Sequence, residues 1–339
     1  MRWVADALRL SALTAALTVL LALINPVPAA AHVVGTGGSP TNYRTRVTAI
    51  RPAVHTVGVT VGLGGQWVRV TDQGAATIAI LGYRGEPFLR LSHNRVQINQ
   101  LSATAAQTGL TLGTPAPENR AVEPRWVHLR DGDSVAWTDT RVSPPPDTAP
   151  ASGSWELPLV VNGQQVSVIG TREWIPPASP GPWMAVLVLL IAAVAAIGWR
   201  RNWHRPMAYV VATATLAFVL HVLGTGFAPQ QSGPVVGWVS VVLVAGFSVV
   251  IGAIGLLSTV RRSESAPDRL VVVGATVLLL AATDLSVLWN SQLPFPGPAV
   301  LDRALTVATY GTALGLIVAG VRLVRVAKAG SSQSESTNG

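Results

Sequence analysis

The chain has 339 residues, of which 49% are apolar and only 12% charged, at a mean hydropathy of +0.43. Soluble domains carry roughly 25% charged residues, so the composition points to a membrane protein. The net charge of +8 comes from 23 arginines and Lys328; they form neither a run nor an alternation with aromatics, which argues against nucleic-acid binding. The absence of cysteine excludes disulfides, thiol catalysis and thiolate metal sites.

Residues 1–31 carry Arg2 and Arg9, a short apolar core and Ala29-Ala30-Ala31. These are the parts of a secretory signal peptide. Cleavage after Ala31 would leave His32 as the mature N-terminus; the alternative is an uncleaved first helix, for which the apolar stretch Leu10 to Ile24 falls short of the roughly 20 residues a span needs. Between His32 and Pro180 the chain has twelve Arg against ten Asp plus Glu, so the exported part is nearly neutral.

Residues 32–178 read as an all-β antiparallel sandwich of about eight short strands, immunoglobulin- or cupredoxin-like in layout. Val57, Val59 and Val61 alternate with smaller residues, Gly64-Gly65 turns the chain, and Trp67-Val68 with Val70 returns. Asp131-Gly132 and Asn162-Gly163, each between apolar runs, both carry the signature of a type I′ hairpin. The stretch from Leu101 to Pro124, rich in Ala, Thr, Pro and Gly, is expected to be irregular.

The second half is expected to be an α-helical transmembrane bundle over 183–325, with spans at about 183–199, 207–227, 235–257, 270–289 and 304–321. Arg200, Arg201 and Arg205, then Arg261, Arg262 and Arg269, then Arg322, Arg325 and Lys328 all fall at the same end of this up-and-down arrangement. Positive-inside bias makes that end, and the C-terminus, cytoplasmic and the β domain extracytoplasmic. The Ser-rich tail 330–339 reads as disordered.

Ionisable side chains inside a span are costly and therefore point to function. His221 in the second span and Asp284 in the fourth fall at similar depth, with Ser240, Thr309 and Tyr310 near the same level. They form a candidate binding site, read either as a packing contact or as a site of proton or ion handling, the third alternative being that His221 and Asp284 do not touch. Thr213, Ala217, His221 and Thr225 recur every four residues, and Gly274, Ala281 and Asp284 share a face; small and polar stripes of this kind face other helices. Gly311 and Gly315 form a small-xxx-small packing motif.

His32 is the candidate metal ligand, since a terminal amine beside an imidazole suits copper. His55, His93 and His128 are scattered, without ligand spacing. Asp131-Gly132-Asp133 lacks the acidic residues of a calcium loop, and no hydrolase, zinc-protease or phosphate-binding motif is present. The expected cofactor is none, or copper, and the chain leans away from being an enzyme.

The segments Thr36-Gly37-Gly38-Ser39, Asn42-Tyr43-Arg44, 82–90, Trp137-Thr138-Asp139-Thr140-Arg141 and 284–295 together resemble an uncharacterised family of actinobacterial membrane proteins. In that family the strand containing Trp137 commonly reads Trp-His-Asp-His-Arg. Here Thr138 and Thr140 replace both histidines. The resemblance therefore leaves Asp139 and Arg141 as a structural ion pair or a partner-binding site. The order of signal peptide, leading His, β-sandwich and helices is also similar to copper-import fusions of the CopC and CopD type. The expected function is that of an envelope protein binding a ligand or partner, anchored in the lipid bilayer; copper handling and proton-coupled transport through the bundle are the alternatives.

Overall fold

The computed structural model describes residues 38–110, 123–144, 151–228, 231, 234–282 and 284–337. Residues 1–31, expected to be a signal peptide, and His32 lie outside the described residues. The chain divides into a β unit and a helical unit.

Among its described residues the β unit holds ten antiparallel strands: β1 (Tyr43–Arg51), β2 (Val57–Val61), β3 (Val68–Asp72), β4 (Ile78–Leu81), β5 (Pro87–Ser92), β6 (Arg95–Asn99), β7 (Trp126–Asp131), β8 (Ser134–Trp137), β9 (Gly153–Val161) and β10 (Gln164–Trp174). Seven form one sheet, ordered β1-β10-β9-β4-β5-β6-β7, and β2-β3-β8 form a second. Alternation drives this layering: on β9, Trp155, Leu157, Leu159 and Val161 point inward while Ser154 and Glu156 face out. Side chains from both sheets share one core. Phe88 of β5 meets Trp137 of β8 edge-on, with ring centroids 5.9 Å apart.

Asn162-Gly163 joins β9 to β10 with positive φ at both residues (49° and 84°), as a type I′ turn requires. Asp131-Gly132 does not make a hairpin. β7 pairs with β6 and β8 with β3, so the dipeptide is a corner where the chain crosses from one sheet to the other. The stretch expected to be irregular contains helix α1 (Ala103–Gln107). Its N-cap Ser102 accepts a hydrogen bond from the Ala105 amide at 3.2 Å. Ser102 Oγ, Thr104 Oγ1 and the Thr104 amide in turn donate to Glu86 Oε1 at 2.9, 2.7 and 3.1 Å. Burial pushes the Glu86 carboxyl up, but these bonds to the charged form outweigh it and hold the group below its ordinary 4.5.

Among the described residues, the helical unit holds α2 (Gly181–Ile197), α3 (His204–Gly226), α4 (Pro234–Val260), α5 (Ala266–Leu280) and α6 (Ala299–Thr337). Three helices among the described residues, His204–Gly226, Gly237–Val260 and Ala299–Ala329, are long and apolar enough to cross a membrane. This makes the chain a membrane protein by length and composition. α2 is a shorter apolar helix. α5 ends at Leu280, inside the stretch expected to be one span over 270–289, and a 3-10 turn (Asp284–Leu288) follows. Hydropathy registers side chains and not backbone, so it passes over such a break. α6 begins five residues earlier than the expected 304 and runs to Thr337, taking in most of the tail that composition marks as disordered.

α6 packs along most of its length. A Cβ on Gly311 would come within 2.7 Å of Leu190 Cβ, and one on Gly315 within 2.5 Å of Val194 Cβ, both on α2. The small-xxx-small motif is thus the α2–α6 contact. Gly274 of α5 meets the Ala313 carbonyl in the same way. On α3 the buried stripe is Val211, Ala214, Ala217, Phe218, His221 and Thr225; Thr213, expected on that face, is exposed.

Candidate functional site

Two carboxylates of the helical unit converge on His221. It lies in the last two turns of α3 and is 4% exposed. Its Nδ1 lies 2.7 Å from Asp302 Oδ1, and its Nε2 lies 3.3 Å from Asp284 Oδ2. Asp302 is fully buried in the first turn of α6, whereas the Asp284 side chain, on the 3-10 turn, is 23% exposed. The helix N-terminus favours a negative charge at Asp302. Asp302 Oδ2 has no hydrogen-bond partner among the described residues.

The break after α5 supplies Asp284 and is held by α6. Tyr310 donates its hydroxyl to the Ala281 carbonyl, which also accepts from the Asp284 amide at 2.9 Å. Arg303 Nε donates to the Val287 carbonyl at 3.2 Å and Nη2 to that of Asn290 at 2.8 Å. Carbonyls released by the helix break are therefore capped by side chains of the next helix, as irregular backbone among apolar helices requires. The loop that follows folds back over α3, where a Cβ on Gly224 would meet the Phe295 ring at 2.0 Å.

The expected contact of His221 with Asp284 is present. Tyr310 joins it through the turn, Thr309 is buried with its hydroxyl unpartnered among the described residues, and Ser240 is half-buried on α4. Sequence reasoning missed Asp302, which it placed in a connecting loop. The signal was there: Asp302, Thr306, Thr309 and Ala313 follow helical spacing, and extending the stripe backwards puts Asp302 inside the helix.

An imidazole with carboxylates at both nitrogens can donate to both only as the imidazolium. Two carboxylates around one imidazolium then leave one negative charge in surplus. Chemically, such a group can take up and give back a proton, which is the acid–base work that buried His and Asp residues can do.

In the β unit, Asp139 and Arg141 form a closed pair. Arg141 Nε and Nη2 bind Asp139 Oδ1 and Oδ2 at 2.9 and 2.7 Å, and the Trp137 indole N–H donates to Oδ2 at 3.0 Å. The other Arg141 donors reach the Leu81 and Gly82 carbonyls at 3.2 and 3.4 Å. The Arg141 guanidinium also lies over Tyr83, 5.0 Å from the ring centroid. The pair ties β8 and the residues after it to β4, and its polar atoms are taken up within the unit.

His55 and His93 are exposed, and His128 pairs with Asp131 across 3.6 Å at the surface. Among the described residues no group of three or more His, Cys, Asp or Glu is placed to hold a metal ion. No family model, curated protein or solved structure matches the chain.

Proposed function

We propose that the protein is a multi-pass cell-membrane protein that handles protons at the Asp302–His221–Asp284 group, with the β unit extracytoplasmic and the C-terminus cytoplasmic. The observation that carries this reading is that both ring nitrogens of a buried intramembrane histidine face carboxylates from two other segments. Keeping three ionisable groups among apolar helices costs several kcal/mol each, far more than a packing contact needs. In this reading α2 and α5 also cross the bilayer. α5 does so together with its 3-10 turn, the turn placing Asp284 near the outer surface. Orientation rests on the arginines shared by the 200–205, 261–269 and 322–328 segments and on the signal peptide.

The test is proton uptake into vesicles. The full chain is reconstituted with a pH-sensitive dye inside, and an inside-negative potassium diffusion potential is imposed. Acidification several-fold faster than in empty vesicles, reduced to the empty-vesicle rate by His221→Gln, is the expected result. A wild-type rate equal to that of empty vesicles rejects the proposal.

A further inference from the structure

The two carboxylates around His221 are not equivalent, and we infer that Asp284 is the residue at which the group exchanges its proton, with Asp302 the fixed counter-ion that holds the imidazolium. This deepens the proton-handling reading and rests on it for its role, though not for its titration.

The argument starts from charge. One imidazolium balances one of two carboxylates, and the surplus negative charge settles where its loss of hydration is smallest. Asp302 is fully buried with Oδ2 unpartnered among the described residues, but its charge has compensation: a 2.7 Å bond from His221 Nδ1, short as charge-assisted bonds are, and the favourable field at the N-terminus of α6. Asp284 has the longer 3.3 Å contact and a side chain 23% exposed. It also stands on the 3-10 turn that leads into the polar run Asn290-Ser291-Gln292, the kind of sequence that marks the edge of the apolar layer. The surplus charge therefore lies on Asp284, and water reaches that carboxylate first.

Proton loading is then a single addition. A proton from water binds the Asp284 carboxylate, giving a neutral acid, and the group passes from one surplus negative charge to none. His221 keeps both N–H bonds, donating Nδ1–H to Asp302 throughout. Release is the reverse. The ionisable groups on the elements packed around His221 are few. α6 contributes Asp302, Arg303 and Tyr310 in its first turns, its other ionisable residues, Arg322, Arg325, Lys328 and Glu335, falling three or more turns further along it, and the turn contributes Asp284. Neither α2 nor α4 carries an ionisable side chain, while the remaining ones of α3 and α5, His204, Arg205, Tyr209, Asp268 and Arg269, lie at the opposite ends of their helices. Arg303 is engaged with the turn carbonyls and fixes the position of Asp284.

pH-difference infrared spectroscopy of the full chain in lipid tests this directly. Acidification should raise a carboxylic-acid C=O band that Asp284→Asn removes and Asp284→Glu shifts in frequency, with the melting temperature held within a few degrees in both. Asp302→Asn should keep the band. A band that survives Asp284→Asn unchanged overturns the inference, as does one lost in Asp302→Asn from protein that still melts cooperatively. Vesicle uptake separates the two proposals: an Asp284 band without uptake leaves the titration standing and removes transport, whereas uptake that Asp284→Asn leaves at the wild-type rate retains proton handling and removes Asp284 from it.

Discussion

Both units bury an aspartate completely, and they treat the charge in opposite ways. Asp139 in the β unit meets a bidentate guanidinium, an indole N–H and the Arg141 amide, so that positive charge and donors match it fully. Asp302 in the helical unit shares a single imidazole with a second carboxylate and keeps an oxygen that has no partner among the described residues. A matched buried pair fixes geometry. An unmatched group has a charge state left to change, and that is the physical difference between a staple and a site.

Removing one partner in each unit gives the largest expected effects. Arg141→Ala leaves Asp139 buried and unpaired and is expected to cost about 3–5 kcal/mol, read from denaturant unfolding of the full chain followed by tryptophan emission. His221→Ala strands Asp302 in the same way and should lower the melting temperature of the helical unit. The two units should separate on rescue. Asp302→Ala added to His221→Ala recovers most of that loss but no proton uptake, while Asp139→Ala with Arg141→Ala leaves uptake at the wild-type rate.

A smaller effect is expected at the α2–α6 contact. Gly315→Leu drives a side chain into Val194, where a Cβ would already lie at 2.5 Å, and overpacking of this kind costs about 1–3 kcal/mol. Thermal melting in detergent checks it, and an unchanged melting temperature would mean that α2 is not held at this motif.

The smallest effect belongs to Glu86. Its folded-state value lies below the ordinary 4.5, so the carboxylate contributes stability above that value, and the contribution fades as pH falls through the lowered one. Glu86→Gln should flatten the acid side of the stability profile of the β unit without altering its neutral-pH hydrogen-exchange protection outside α1.

Much of this was legible in the sequence where the signal is local. Strand alternation along β9 and β10, the Asn162-Gly163 turn and the packing role of Gly311 and Gly315 each depend on residues within a few positions of one another. Asp131-Gly132 misleads because its dipeptide is a good hairpin turn, while the choice of partner strands is made by the whole core. The break at Leu280 escapes hydropathy because Ala281 to Leu288 is apolar enough to read as helix, apart from Asp284. Half of the clamp, Asp284 with His221, follows from the cost of ionisable groups among apolar residues. Asp302 was hidden by a helix start placed five residues late, which turned a first-turn carboxylate into a loop charge.

Nitrogen NMR of the His221 ring, in full-length protein in lipid and assigned by difference against His221→Gln, is the most direct measurement of the clamp. Carboxylates at 2.7 and 3.3 Å from the two ring nitrogens predict that both carry hydrogen at neutral pH, with the Nδ1–H signal perturbed by Asp302→Glu and the Nε2–H signal by Asp284→Asn. A bare ring nitrogen under those conditions would contradict the imidazolium clamp, and with it the surplus charge on which proton handling depends.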